Sequence, residues 1–388
     1  MWQPRLWVFA THRSAVQTFD NGVGEPTTEW ANRLDLFANL QLTGTEKLVL
    51  GIRPLDKNRF GQFSGYVAED VPGVTGRKWE SELNANVRTL FFEGDFGSLF
   101  PNLDRAGIKP IDYGFAVGRQ PLVFQRGILI NDTVDAFGIV RNNLRPKGFS
   151  NVRVSGVWGW GELDRNDSRK DPQANMFGIF TAADLPSTTI EIDAIRVEDR
   201  DPNGDGWYLG ASSTLHFGGV GATFRVNASF ADDTETPQVA EGVLLSAEIA
   251  WTPKSSDDIV YINPFLAEER FTQAGRDPVN GGPLAALGIL FASNNIGNHR
   301  SELSAAANDV LGIAIGYQAF WDQFRRNLVL EVAGRKDTSG DGLDDAAVGF
   351  QLQQKIKQRF LLQVDGFYAV QEGRDDGHGA RLELLIQF

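Results

Sequence analysis

Residues 380–388 of the chain read ARLELLIQF, and their alternation of side chains is the clearest indication of the fold. Leu382, Leu384, Ile386 and Phe388 lie on one face of an extended strand, while polar residues occupy most of the other face. A terminal strand leaves an open edge in a soluble sheet, whereas a closed barrel can pair its last strand with its first. The stretch therefore predicts a closed barrel.

Segments of about ten residues that alternate apolar and polar side chains recur along the whole chain, as expected for the spanning strands of an outer-membrane barrel. Alternation also suits a soluble sandwich, where the apolar face meets a second sheet instead of lipid. The succession of segments favours an all-β, closed antiparallel transmembrane β-barrel of about 18 strands, in one domain spanning 1–388. The segments are 4–18, 30–42, 47–56, 82–94, 112–123, 133–142, 151–163, 174–184, 188–199, 207–217, 221–231, 243–253, 258–271, 309–321, 327–337, 345–356, 359–371 and 380–388.

Composition agrees with a protein built from strands, tight turns and aromatic belts. The chain has 388 residues, including 42 Gly, 27 Phe and 9 Trp, and it has no Cys for disulfides or thiolate metal sites. No run approaches the roughly 20 apolar residues that a spanning helix needs, so a membrane form must cross with strands. A net charge of −13 argues against nucleic-acid binding. Met1-Trp2-Gln3 is interpreted as a mature or engineered start, after removal of an export segment.

Connections between the predicted strands alternate between short and long. Transmembrane barrels place short turns in the periplasm and long loops outside, so both termini are predicted to be periplasmic in the bacterial outer membrane. The long connection 95–111 falls on the short side and is either an ordered loop, which we favour, or a periplasmic plug. The long external loops are 57–81, 124–132 and 272–308, and the short turns are 43–46, 144–148, 186–187, 218–220, 254–257, 323–326 and 357–358.

Catalytic motifs are lacking, so we expect no enzyme. The four His are scattered, without HExxH spacing or a GxSxG elbow. His378 with Asp375 and Asp376 is the one candidate cluster, and a solvated loop explains it more simply.

Two loops carry oxygen-bearing residues at alternate positions, followed by Gly. Ca²⁺ collects six to eight hard oxygen ligands around such a turn. Neither loop supplies the bidentate Glu of an EF-hand, and Asp-Gly is also a hairpin turn signal, which we favour. No cofactor is expected to be required, with Ca²⁺ in these external loops as the alternative. The candidate ligands are Asp201, Asn203 and Asp205 in the first loop and Asp337, Ser339 and Asp341 in the second.

Short runs of sequence resemble known outer-membrane proteins. The terminal Phe388 is similar to the last residue of bacterial outer-membrane barrels, although Glu383 replaces the upstream Gly often found there. Residues 117–122, VGRQPL, with 135–139, DAFGI, and 263–265, NPF, resemble the alginate-export family of porins. The resemblance implies an eighteen-stranded channel for passive transport. It does not imply alginate, because a polyuronate path should be lined mainly with Arg and Lys.

The face opposite the apolar one carries many charges, which would be costly against lipid and therefore indicate a watery lumen. The sign of these charges is mixed, with cations weighted to the N-terminal wall and anions to the C-terminal wall. Loop 124–132, which carries Arg126, would set the narrowest point if it folds inward. The predicted lumen and constriction residues are Arg33, Arg53, Arg88, Arg119, Arg126, Arg141, Arg153, Glu191, Asp193, Glu248 and Glu331, with Asp135 also inward.

These features predict an outer-membrane porin in contact with lipid, which passes ions and small hydrophilic solutes by diffusion. The alternative is a closed barrel that serves as a surface binding or scaffold component of an outer-membrane complex. Porins of this size are often homotrimers, whereas alginate-type channels resemble monomers, and the sequence leaves the two open.

Overall fold

Eighteen strands, which we number β1 to β18, form the wall of one barrel. The computed structural model describes residues 3–23, 25–56, 63–68, 78–100, 113–200, 204–340 and 342–388. The strands are β1 Arg5–Asp20, β2 Thr27–Gln41, β3 Lys47–Ile52, β4 Val87–Asp95, β5 Tyr113–Phe124, β6 Ile130–Leu144, β7 Asn151–Trp160, β8 Asn175–Asp184, β9 Thr188–Glu198, β10 Gly206–Phe217, β11 Val220–Ala231, β12 Gly242–Trp251, β13 Ile259–Phe271, β14 Ala307–Trp321, β15 Arg326–Asp337, β16 Asp345–Ile356, β17 Phe360–Gln371 and β18 Gly377–Gln387.

Neighbouring wall strands are antiparallel, and the first strand pairs with the last. β1 and β18 pair from Thr11 opposite Gln387 to Asp20 opposite His378, so the wall has no open edge at the terminal strand. Each of the other wall strands pairs with the next along the chain. The predicted all-β, closed antiparallel barrel of 18 strands is confirmed.

Alternation along the strands separates an apolar outer face from a polar inner face. Val226 of β11 and its partner Leu245 of β12 point outward and are 49% and 42% exposed. The adjacent pair, Arg225 and Ser246, points into the barrel. No helix in the described parts of the chain is long and apolar enough to cross a membrane.

The two ends of the barrel differ in their connections. After β2, β6, β8, β10, β12, β14 and β16 the chain turns within a few residues, as predicted. We call this the short-turn end, and both termini lie there because β1 begins and β18 ends at it. After β4, the exceptional connection begins with the short helix α1, Phe96–Leu99, which Asp95 caps by accepting from the Ser98 amide. The rest of that connection lies outside the described residues.

Several connections at the opposite, long-loop end fold into the barrel. Residues 125–129, between β5 and β6, and residues 272–306, between β13 and β14, both enter the lumen; we call them the tip and the inner loop. Smaller strands accompany them: Ser64–Val67 pairs with β2 and with Lys78–Glu80, Leu163–Asp164 pairs with Lys170–Asp171, and Gly275–Arg276 pairs in parallel with β6. Parts of the predicted loop 57–81 lie outside the described residues.

Three hydrophobic clusters form inside the barrel where these segments meet the wall, and the smallest packs Val279 and Ile296 of the inner loop against β1 and β2. Of the two larger clusters, one packs Leu129, Ile130 and Val134 against Met176, Ile195 and other side chains of β8 to β10. The other packs Leu284, Leu287, Leu290 and Phe291 of the inner loop against β12 to β17. Burying such side chains contributes roughly 1.5–3 kcal/mol each. The long-loop half of the lumen is therefore partly packed protein, which confines any water path to the space left between the segments.

Candidate functional site

The tip between β5 and β6 extends into the lumen and contacts the wall at β9 and β12. Gln125, Arg126 and Gly127 all have positive φ, of 51°, 56° and 84°, so the chain reverses sharply there. Gln125 donates a 2.7 Å hydrogen bond from Nε2 to Asp193 of β9, and Arg126 forms an ion pair with Glu248 of β12. These contacts place the tip inside the barrel, which is the condition under which loop 124–132 was expected to set the narrowest point.

The inner loop is held by a buried carboxylate on the wall. Glu331 of β15 is 1% exposed and accepts hydrogen bonds of 2.9 Å from both the Ile289 and Leu290 amides. The Tyr261 hydroxyl donates a third hydrogen bond to it. Because each buried amide needs an acceptor, Glu331 fixes the backbone of the inner loop beside the lumen.

Arginines on the N-terminal wall hold the other side of the inner loop. Arg13 donates to the Asn294 carbonyl at 3.0 Å and Arg33 to the Asn295 carbonyl at 2.9 Å. Arg88 forms an ion pair with Asp277 at the start of the loop. The predicted lumen arginines Arg33 and Arg88 thus act partly as anchors of the inner loop.

A gap between the tip and the inner loop is bordered by two cavities. The cavity toward the short-turn end has a volume of about 470 Å³ and includes Ala250 and Gln318, whereas that toward the long-loop end has about 300 Å³ and includes Asn131 and Asn280. Both are lined by Arg126, Ala285, Ala286 and Ala292. The gap thus has a guanidinium on one side and small apolar side chains on the other.

Nine of the predicted site residues are on the lumen side of the wall or on the tip. Among the nine, the arginines lie on the N-terminal wall or the tip and the carboxylates on the C-terminal wall, which is the predicted weighting, and their ion-pair partners mix the two signs. Arg53 pairs with Asp35 and Asp56, and Arg13 pairs with Glu383, so carboxylates accompany the cations of the N-terminal wall. The nine residues are Arg33, Arg53, Arg88, Arg126, Arg153, Glu191, Asp193, Glu248 and Glu331.

Arg119 and its partner Asp135 lie on the outer face, which corrects their predicted inward position. Arg119 is opposite Leu90 of β4, which is 43% exposed on the outer face, and it forms hydrogen bonds of 2.9 and 3.1 Å to Asp135. The neighbouring Gln120 and Val134 point into the barrel and are buried. Because a hydrophobic core fills the lumen at this level, the apolar positions of β6 face inward and the charged positions face outward.

Arg141 is the second correction, since it also lies on the outer face. It is opposite Tyr113 and Val154, and its guanidinium lies 4.8 Å from the centre of the Tyr113 ring. Asn143 has a φ of 60°, and the register of β6 against β7 shifts between Arg141 and Leu144. A cation over an aromatic ring at a strand end fits a membrane interface better than a pore wall.

The sequence interpretation missed Arg13 and the buried carboxylates near the inner loop. Arg13 shares the face of Arg33, its partner in β2, so strand pairing could have found it. Asp132, Asp164 and Asp277 are buried with carboxylate oxygens within 4.8 Å of one another. They lie far apart in sequence, and no spacing motif connects them.

The described residues of the two predicted calcium loops make hydrogen bonds typical of turns. Asp337 accepts from the Ser339 hydroxyl and from the Gly340 amide at 2.6 Å. Asp205 accepts from the Asp199 amide at 2.6 Å. Such Asx contacts favour the hairpin interpretation. The predicted ligands Asp201, Asn203 and Asp341 lie outside the described residues, and calcium binding stays a prediction.

Two carboxylates beyond the ends of the strands carry lowered pKa values. At the long-loop end, a hydrogen bond from Arg196 lowers the pKa of Asp232. At the short-turn end, a hydrogen bond from Tyr317, with another from the Phe320 amide, lowers the pKa of Asp258. Both groups are therefore anionic at neutral pH and add negative charge at the two ends of the barrel.

Comparison with known proteins identifies the fold. No family model matches the chain, and no curated protein sequence matches it. Among solved structures, Acinetobacter baumannii OccAB3 has a TM-score of 0.64 at 11% identity, with 99% of each chain covered. Pseudomonas aeruginosa OccK2 (OpdF), in complex with glucuronate, has a TM-score of 0.63 at 10% identity, covering 99% of this chain and 98% of that one. The P. aeruginosa outer membrane protein OpdK has a TM-score of 0.63 at 9% identity, with the same coverage. The chain thus has the fold of the OccK/OprD group of outer-membrane porin structures.

Proposed function

We propose that this protein is a bacterial outer-membrane porin through which ions and small hydrophilic solutes diffuse passively. The observation that carries the proposal is the gap lined by Arg126, Ala285, Ala286 and Ala292, which borders cavities on both sides. The fold shared with outer-membrane porin structures supports it, as do charged side chains that would be costly against lipid. The short-turn end and both termini would then face the periplasm.

This arrangement favours passive transport of a solute over catalysis. One solved structure with this fold is a complex with glucuronate. We therefore propose a small polar solute for the path in this protein. Several lumen arginines are already paired with wall carboxylates, including Arg53 with Asp35 and Arg381 with Asp365, which argues against a polyanion exporter. The sequence resemblance to alginate-export porins, and the choice between monomer and homotrimer, stay predictions.

Recordings of the purified protein in a planar bilayer test the proposal. A porin gives open, ohmic single-channel steps that persist at low voltage. A bilayer that contains correctly folded protein and yet carries no steps would instead favour the closed scaffold barrel. Resistance of the barrel to denaturation by detergent before heating provides the control for folding.

A further inference from the structure

A third cavity lies beneath the tip and is lined by both cationic and anionic side chains. Its volume is about 130 Å³, room for about four water molecules at roughly 30 Å³ each. Arg153 of β7 lines it together with Glu191 and Asp193 of β9, and Gln125 and Arg126 of the tip also border it. The cavity therefore has room for a solute of a few heavy atoms between a cation and two carboxylates.

Arg153 and Glu191 are held apart by the strand between them. Both are register partners of Ala182 in β8, so their Cα atoms are separated by two strand spacings, or roughly 9–10 Å. Ala182 is small and leaves open the space above it. No ion pair joins Arg153 to a carboxylate among the described residues, and its side chain is exposed within the lumen. The guanidinium is thus available to an incoming anion.

The hydrogen-bond acceptors on the opposite side of the cavity can accept more hydrogen bonds than the protein donates to them. Ser212 donates one hydrogen bond of 3.0 Å to Glu191 Oε2. Gln125 is 2% exposed, and its Nε2 donates to Asp193, but its Oε1 is buried without a hydrogen-bond partner. A buried carbonyl oxygen without a donor costs free energy, so a ligand or water that donates to it is favoured. An ammonium group can serve this oxygen and the adjacent carboxylates together.

We propose that this cavity, the Arg153/Glu191 cavity, binds a small zwitterion that carries a carboxylate and an ammonium group. The carboxylate meets the Arg153 guanidinium, and the ammonium donates to Glu191, Asp193 and Gln125 Oε1. Charge-assisted hydrogen bonds at both ends select for a molecule with both charges over one that has either alone. This inference rests on the proposed function, because the site would lie beside the path of the solute and slow it there.

Ligand-detected NMR on the detergent-solubilised barrel tests the site without requiring an open path. The probes are L-alanine, propionate and ethylammonium, which present both charges, the carboxylate alone and the ammonium alone. We expect L-alanine to bind at least about tenfold more tightly than either single-charge probe, the factor expected for one charge-assisted hydrogen bond. Arg153→Gln and Glu191→Gln should each remove about that factor for L-alanine.

Lys355→Gln is the matched control, because it removes a lumen cation from β16, which has no part in the cavity. It should leave L-alanine binding unchanged. Propionate that binds as tightly as L-alanine and ignores Glu191→Gln would show an anion site and overturn the proposal. Binding of none of the three probes to folded wild type would also overturn it. A barrel that binds L-alanine but carries no current would contradict the porin function and leave this site standing.

Discussion

Gln125 on the tip donates a 2.7 Å hydrogen bond to Asp193 on β9, which joins residues 68 positions apart inside the lumen. Together with the ion pair from Arg126 to Glu248, it holds the tip against the wall opposite the N-terminal strands. The inner loop is fixed independently by Glu331 and by Arg13 and Arg33. Two separately anchored segments therefore define the gap, and changes to either should alter transport in a distinct way.

Conductance should rise when the side chain of Arg126 is removed. Arg126 lines all three cavities near the gap, so Arg126→Ala widens the narrowest region without changing the fold of the wall. Deletion of 124–130 is a poorer experiment because Ile128, Leu129 and Ile130 are fully buried. Single-channel recordings should show a larger current for Arg126→Ala, with Lys355→Ala as the control. An unchanged current would place the constriction elsewhere.

Ion selectivity should depend on the lumen arginines and not on those of the outer face. Wild type is expected to be weakly selective, because many lumen charges are paired within the wall. Arg126→Gln combined with Arg153→Gln should shift the reversal potential under a salt gradient toward cations. The matched pair Arg119→Gln with Arg141→Gln should leave it unchanged, since both side chains face outward. A shift in the second variant would contradict the assignment of faces.

Sensitivity to charge should differ sharply between the two faces of β11. Val226 points outward, so Val226→Arg should cost about 2–4 kcal/mol if it lies near the bilayer midplane. Thr223 points inward beside Thr214, at 3.0 Å between hydroxyl oxygens, and Thr223→Arg should cost far less. Unfolding titrations in lipid vesicles measure both. Equal losses at the two positions would indicate a sheet buried on both faces.

Removal of the Glu331 carboxylate should loosen the inner loop. Glu331→Ala leaves the Ile289 and Leu290 amides without their acceptor, which should destabilise the fold by about 2–4 kcal/mol. The same unfolding titrations measure this loss, and proteolysis should cut within 272–306 sooner. Lys355→Ala, at an exposed lumen position, should change neither. Wild-type stability in Glu331→Ala would show that the loop is held by its apolar core alone.

The strands of the wall could be predicted from the sequence because lipid on one face and water on the other require apolar and polar side chains to alternate along each strand. Val226, Leu245 and their neighbours alternate with polar residues, and this identified the strands and most of their faces. The prediction for Arg119 and Asp135 was wrong because, at their level in the barrel, the alternation of apolar and polar residues does not distinguish the outer face from the inner face. There the lumen is filled by a hydrophobic core around Val134, so apolar residues face inward as well as outward.

The candidate site itself could be predicted only in part. An inward course of the tip was considered because the loop carries Arg126, but its partners Asp193 and Glu248 are on strands remote in sequence. The inner loop contributes Ala285, Ala286 and Ala292, small residues that carry no motif. Their role depends on where Glu331 and the arginines of β1 and β2 hold the loop. These contacts join residues far apart in the chain, so the sequence alone does not predict them.

If solutes pass between the tip and the inner loop, a bulky group attached at Ala286 should obstruct them. The chain has no cysteine, so Ala286→Cys introduces a single thiol at a residue that lines both cavities. Thr338→Cys, on an exposed hairpin at the long-loop end, is the matched control, with modification of both verified by mass spectrometry. We predict that a water-soluble methanethiosulfonate reagent reduces the single-channel current of Ala286→Cys and leaves that of Thr338→Cys unchanged. A fully modified Ala286→Cys with undiminished current would show that solutes do not pass between the tip and the inner loop.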